Sequence, residues 1–229
     1  MSAMNDRASR TKRGSLSREM VIDAALARVD RHGLESLSMR ELAADLGVGA
    51  MSLYRHVRDK DDLLDLITDH VIEGFLPEPA AVAAWPEQAA RICRQVRKGL
   101  LAHPELATHA LRRPVNASAT GLRVNGQMVA MLLNSGLPRK AVPNVYWVLS
   151  VYAMGFSQFE IERRRAIRGR PRHRAEERRR NLAALVAVFE VDVPDTDALA
   201  AVLSVDFGDQ QFEFGLAAVI RGLEASVGR

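Results

Sequence analysis

The sequence predicts an all-α fold, with an N-terminal three-helix helix-turn-helix domain followed by a larger C-terminal helical domain. Three observations carry that expectation. Apolar residues recur at helical spacing almost from end to end, and alternating strand patterns are nearly absent. Aromatics are only 5% of the 229 residues while Ala, Leu, Val and Arg dominate, which favours helix over sheet. Gly33, Gly47, Gly74 and Gly136, with Pro86, Pro104 and Pro143, punctuate the periodic runs where helices stop and start. At 48% apolar and 26% charged, the composition is that of an ordinary globular chain with length for one or two domains.

Residues 1–16 read as a flexible basic arm carrying Arg7, Arg10, Lys12 and Arg13, with no apolar core of the kind a signal peptide needs. Ser17 is placed to cap a first helix whose inner stripe is Ile22, Ala25, Leu26 and Val29, stopped by Gly33. Ser38 to Glu41 has capping-box spacing and opens a short helix with Leu42, Ala43 and Leu46 inward. After the Gly47 turn a second short helix is expected from about Ala50 to Val57. Asp59, Asp61 and Asp62 place negative charge at the start of a fourth helix, with Leu63, Leu64, Ile67, Val71 and Ile72 apolar and Gly74 at its end. Pro77 and Pro79 mark the domain boundary, so 17–74 and 75–229 are expected as the two domains.

In the second domain, helices are predicted from Pro86 to near His103, from Pro104 onward, over Ala117–Ser135, and from Pro143 to about Ile167. The block Arg163–Arg180 holds ten Arg and two Glu; Gly169 and Pro171 break it into an expected Arg-rich loop leading to a helix ending near Phe189. Val191–Phe207 reads as loop with a turn of helix at Asp197–Leu203, and a last amphipathic helix spans about Asp209–Val227.

Residues 141–159 carry no charge. Pro143, Asn144, Ser150, Ser157 and Gln158 interrupt the stretch, and mean hydropathy for the chain is −0.09. A span needs about 20 predominantly apolar residues, so the expectation is a helix buried on most faces, with an oligomer interface as one home for it, and no membrane partner. Cys93 alone supports neither an internal disulfide nor a thiolate zinc site, which points to a reducing, cytoplasmic setting. Lone His and Met residues read as packing before chemistry: His70 and His103 as surface or helix-end residues, Met128 and Met131 as core. No Gly-rich phosphate loop, His-Glu-x-x-His, nucleophile elbow or apolar carboxylate pair is present, so no catalytic activity and no cofactor are expected.

The charge balance argues less than it first suggests. The net charge of +4 and pI near 9.6 hint at nucleic acid, yet Met1–Gly74 holds 11 Lys and Arg against 13 Asp and Glu. Placement is more informative. Ser38–Val57 has the layout of a helix-turn-helix, whose second helix is free to enter a major groove. Its outer face would carry Ala50, Met51, Ser52, Tyr54, Arg55 and His56, with Leu53 and Val57 inward and Lys60 just beyond as a phosphate contact. A generic helical hairpin with a solvated face has the same layout.

Leu53-Tyr54-Arg55-His56-Val57-Arg58-Asp59-Lys60 through Asp65, with Ser38–Ala43, Leu46-Gly47-Val48 and Val21–Gly33, closely resembles the DNA-binding domain of the TetR family. That resemblance implies double-stranded DNA as partner, contacted by Arg40, Ala50, Met51, Ser52, Tyr54, Arg55, His56 and Lys60. The later segments His109–Pro114, Tyr152-Ala153-Met154-Gly155 and Phe212–Leu216 resemble the tetracycline-repressor branch of that family. This second resemblance implies a homodimer on a palindromic operator, with Trp147, Phe156, Phe212, Leu216, Ile220 and Leu223 at its interface. A small-molecule effector would meet Ile92, Val96, His109, Asn125, Val151, Met154 and Phe159, with Asn116 a further candidate.

Of the branch's ligand-contact positions only His109 keeps the residue type, and the early one falls on Leu76. A largely apolar effector and no metal are therefore expected. The function these expectations describe is a repressor released from its operator by that effector. The alternatives are an activator of the same fold, or a helical ligand-binding or scaffold protein without operator binding.

Overall fold

The computed structural model describes residues 16–77, 84–114, 117–167, 184, 186, 194–204 and 207–228. The expected basic arm (all but its last residue), Asn116, positions 168–180 of the Arg-rich block and most of the helix ending near Phe189 lie outside the described residues. Among the described residues there are ten α-helices and no strand. The chain divides into two compact units, Met1–Pro79 with Lys98–Met128, and Ala80–Arg97 with Val129–Arg229.

The first unit begins with α1 (Arg18–His32). The Ser17 hydroxyl caps it by accepting the Met20 N–H at 3.1 Å, and Gly33, at φ 82°, ends it. Its buried stripe is Val21, Ala25, Leu26 and Val29, with Val21 in the place expected for Ile22, which is only half-buried. After a 3-10 turn (Leu34–Ser36), Ser38 caps α2 (Met39–Asp45) by accepting the Glu41 N–H at 3.2 Å. The Glu41 carboxylate goes to Arg28 of α1, so only half of the expected capping box forms.

Arg28, which sequence reasoning passed over, ties the head together. Its guanidinium donates to Ser36 O at 2.9 Å, Asp45 at 2.7 Å and Glu41 at 2.5 Å. Gly47 turns the chain at φ 64°, a conformation that favours glycine, into α3 (Ala50–Leu53). The expected run to Val57 stops short because the His56 N–H bonds Leu53 O at 2.8 Å, tightening the chain into a turn. Asp59 caps α4 (Lys60–Glu73), which buries Leu63, Ile67, Thr68 and Val71 and leaves Leu64 and Ile72 half-buried.

Also in this unit are the end of α5 (Trp85–Ala102), α6 (Pro104–Arg112) and the start of α7 (Ala119–Asn134). A Cβ on Gly99 would stand 2.8 Å from the Phe75 ring, so glycine permits that close approach.

The second unit contains most of α5, the end of α7, α8 (Val142–Ile167), α9 (Thr196–Ser204) and α10 (Asp209–Val227). The short α9 is a full nine-residue helix where a single turn was expected; the Asp195 carboxylate, just after Pro194, caps it by accepting the Ala198 N–H at 2.8 Å. α8 and α10 pack closely. Tyr152 donates its hydroxyl to Phe212 O at 2.7 Å, and a side chain at Gly215 would collide with the Tyr152 ring. Phe212 is fully buried, worth about 1.5–3 kcal/mol of transfer free energy.

An ionic cluster beside them is centred on a buried carboxylate. Glu160, with no exposed surface, accepts from Arg97 at 2.9 and 3.1 Å and from Arg164. Arg97 also reaches Asp209 at 2.8 Å and lies 4.8 Å from the Phe212 ring centroid.

Candidate nucleic-acid interface and effector region

The helix-turn-helix is fixed from inside. Leu53 and Val57 are 0% and 2% exposed, so the opposite side of α3 and its following turn is turned outward. That outer side carries Met51, 78% exposed, Tyr54, 47% exposed, and the exposed Arg55, with Ala50, Ser52 and His56 half-buried beside them. Arg40 and Lys60 are exposed on the flanking helices, and Arg40 stands 3.8 Å from the carboxylate of the adjacent Glu41. The structure thus gathers the expected set around one short helix.

Arg58 differs from these cations. Its backbone N–H donates to Asp62 at 2.8 Å and its guanidinium returns to the same carboxylate at 2.9 and 3.2 Å. Those hydrogen bonds hold the Asp62 carboxyl below its usual range, backbone donation leading. Arg58 is paired at the α4 start, and Arg40, Arg55 and Lys60 are the other exposed cations of this face among the described residues.

Within the same unit, α6 is bonded at both ends. Its N-cap residue His103 places Nδ1 2.9 Å from the Asp30 carboxylate of α1. Past its C-terminus, Arg113 donates to Asp69 of α4 at 2.9 Å and lies 3.5 Å from Asp65. The Ser118 hydroxyl adds a 2.8 Å bond to Asp69 while accepting the Gly121 N–H, and Arg123 pairs with Glu73. Asp65, Asp69 and Glu73 share one face of α4 at four-residue spacing, a feature not singled out from sequence. Between these ends sits His109, whose Nε2 is buried without a hydrogen-bond partner among the described residues. Burial, then the Arg113 charge, pushes the imidazole below its ordinary pKa and favours the neutral ring.

The other expected effector residues divide between the units. Asn125 turns its amide into its own helix, donating to Gly121 O at 2.7 Å. In the second unit, Ile92 and Val96 are buried and Met154 half-buried. Val151 and Phe159 differ from these in being 67% and 51% exposed on the outer face of α8. Cys93 is buried, and burial pushes its thiol up to about 12, which makes it unreactive as a nucleophile.

The expected dimer residues need a correction. Phe212, Leu216 and Ile220 are buried in the protomer's own core, at 0%, 1% and 8% exposure. Phe156 is half-buried against Tyr152, Phe207 and Phe212, and Leu223 is half-buried; Trp147 alone of the six is exposed. The outward apolar stripe runs instead through Val148, Val151, Gly155 and Phe159 of α8, and Phe214, 75% exposed, stands out from α10. Helical spacing identified an apolar helix with two apolar sides; it did not say which side the protomer keeps.

Among the described residues no helix is long and apolar enough to cross a membrane, and no group of three or more metal-ligating side chains assembles.

Comparison with known proteins matches this architecture along the chain. Residues 21–67 match the bacterial regulatory proteins of the tetR family, and residues 77–227 the tetracyclin repressor-like C-terminal domain. The chain belongs to the TetR family. It is therefore a helix-turn-helix, DNA-binding transcriptional regulator of that family. A transcriptional regulator of Saccharopolyspora erythraea is 34% identical over 227 residues, covering 97% of this chain and 90% of its own. The transcriptional repressor DrrR1 of Streptomyces coeruleorubidus is 29% identical, over 96% and 82% of the two chains. Among solved structures, the TetR family protein ActR of Streptomyces coelicolor, in complex with actinorhodin, superposes with a TM-score of 0.73 at 29% identity. That match covers 94% of this chain and 100% of the other.

Proposed function

We infer that this regulator is a homodimeric repressor whose two heads hold a palindromic operator until a small, largely apolar effector releases them. The observation that carries the reading is the outer face of α3: Leu53 and Val57 anchor it from within, while Met51, Tyr54, Arg55 and the neighbouring Lys60 are left outward. Two such heads enter successive major grooves about 34–36 Å apart. Residues 17–74 supply the DNA-binding part, and 75–229 the effector and dimer functions.

The dimer is built on the outward stripe of Val148, Val151 and Phe159 with Phe214, because exposed apolar side chains in a row lose free energy in water and regain it against a copy of themselves. The effector engages the unpartnered Nε2 of His109. It shifts α6, and the Arg113–Asp69 and Ser118–Asp69 bonds carry that shift to α4. Coupling of this kind is worth about 1–3 kcal/mol. That ActR was solved with actinorhodin and that DrrR1 is a repressor support the reading. A DNA partner suits a cytoplasmic setting.

Selection from random duplexes should enrich a palindrome, and gel shifts should show one dimer bound and small apolar molecules releasing it. Enrichment of no sequence, with the folded dimer intact, would return the chain to an effector-binding protein without an operator.

A further inference from the structure

We propose that Met51 reads a thymine methyl group in each half of the operator. This rests on α3 being the recognition helix. Met51 has the highest exposure, 78%, of the large apolar side chains among the described residues, and it stands on the face opposite the buried Leu53. Single exposed apolar residues are common and by themselves signify nothing. Here the company of Met51 decides.

From Gly47 to Leu53 the chain reads Gly-Val-Gly-Ala-Met-Ser-Leu, without one side chain able to make two hydrogen bonds to a base edge. The paired contacts that Arg makes to guanine, or Asn and Gln to adenine, are therefore missing from the start of this helix. Nothing lies within 4 Å of a Cβ built on Gly47 or Gly49, so the turn leading into α3 adds no bulk beside the exposed Met51. The major-groove edge offers one apolar group, the C5-methyl of thymine. An unbranched, polarisable thioether can close over that methyl at a range of depths. Sequence choice at this position then comes from shape and desolvation, while Arg40, Arg55 and Lys60 supply charge.

Deoxyuridine removes only the methyl and tests the idea directly. Each thymine of the enriched duplex is replaced in turn, and binding is measured for wild type, Met51→Ala and Met51→Leu, with thermal unfolding checked for each. At one thymine per half-site, the swap should weaken wild-type binding about fourfold. Met51→Ala should lose a similar amount on the thymine duplex and nothing further on the deoxyuridine duplex. Met51→Leu, with an apolar end retained, should stay sensitive to the methyl, and the salt dependence should be the same throughout. Indifference of wild type to every swap, or an equal loss in Met51→Ala, overturns the assignment while leaving the operator reading standing. If no duplex is enriched, the operator reading falls and this inference with it.

Discussion

Arg28 in the first unit and Arg97 in the second are both largely withdrawn from water, and they differ in where they leave the opposing charge. In the first unit, Arg28 is 11% exposed at its side chain, but its partners Glu41 and Asp45 keep 46% and 39% of theirs in water. In the second, Arg97 is equally withdrawn at 11%, and its partner Glu160 has no exposed surface at all. A half-solvated carboxylate can lose its partner and rehydrate; a buried one cannot. The first arrangement straps the short α2 to α1 beside the helix that turns out a polar face. The second sits beneath a helix pair whose outer side is apolar, with Val151, Phe159 and Phe214 exposed. Surface chemistry follows the same division. The outer side of α3 turns out hydroxyls and cations around Met51, and the second unit turns out the hydrophobic stripe on which the proposed dimer rests.

The sharpest way to break this comparison is to charge the stripe. Val151→Glu combined with Phe214→Glu should convert the dimer to a monomer by analytical ultracentrifugation, with helical content retained. A persisting dimer would move the interface elsewhere. Next in size, Glu160→Gln should cost about 1.5–3 kcal/mol of stability in urea unfolding, because it removes the buried charged acceptor of Arg97 and Arg164 and leaves Arg97 its exposed partner Asp209. Arg28→Ala should lose less, as both freed carboxylates reach solvent; equal losses would erase the distinction between the units.

A smaller effect is expected for Lys60→Ala. Binding to all duplexes should weaken alike, and the logarithmic salt slope should fall by about one per half-site. A change in sequence preference would instead make Lys60 a base reader. The least effect belongs to His109. Its folded pKa lies below the ordinary imidazole value, so the unfolded chain binds the proton more tightly. The native state is therefore favoured above the ordinary imidazole range and loses stability as pH falls through it toward the folded pKa. His109→Gln should flatten that acid-side loss in unfolding curves taken between neutral and mildly acid pH.

Much of the head was legible residue by residue. Ser17, Ser38 and Asp59 act as caps, Gly33 and Gly47 turn where the periodic runs end, and Leu53 and Val57 point inward. These are local matters, decided within one helical turn by hydrogen bonds the side chain makes to its own neighbourhood. The arginine strap was not legible, since Arg28 lies 17 residues from Asp45 and nothing local marks their meeting. Nor was the two-ended bonding of α6, where His103 finds Asp30 across 73 residues and Arg113 finds Asp69 across 44.

The second unit shows where the boundary falls. The uncharged 141–159 stretch announced a helix with more apolar surface than one core requires, and the motif resemblance announced the family. Which side of that helix turns inward was set by Phe212 and Tyr152 meeting across 60 residues and by the small Gly215 that lets them meet. Sequence alone therefore determined most of the helices and the Ser17 and Ser38 caps, because those rest on spacing of a few positions. Tertiary structure decided which apolar stripe is core and which is surface, and which arginines are tied to carboxylates far away in sequence. Burial and ion pairing depend on what the fold brings near, and no local pattern records that.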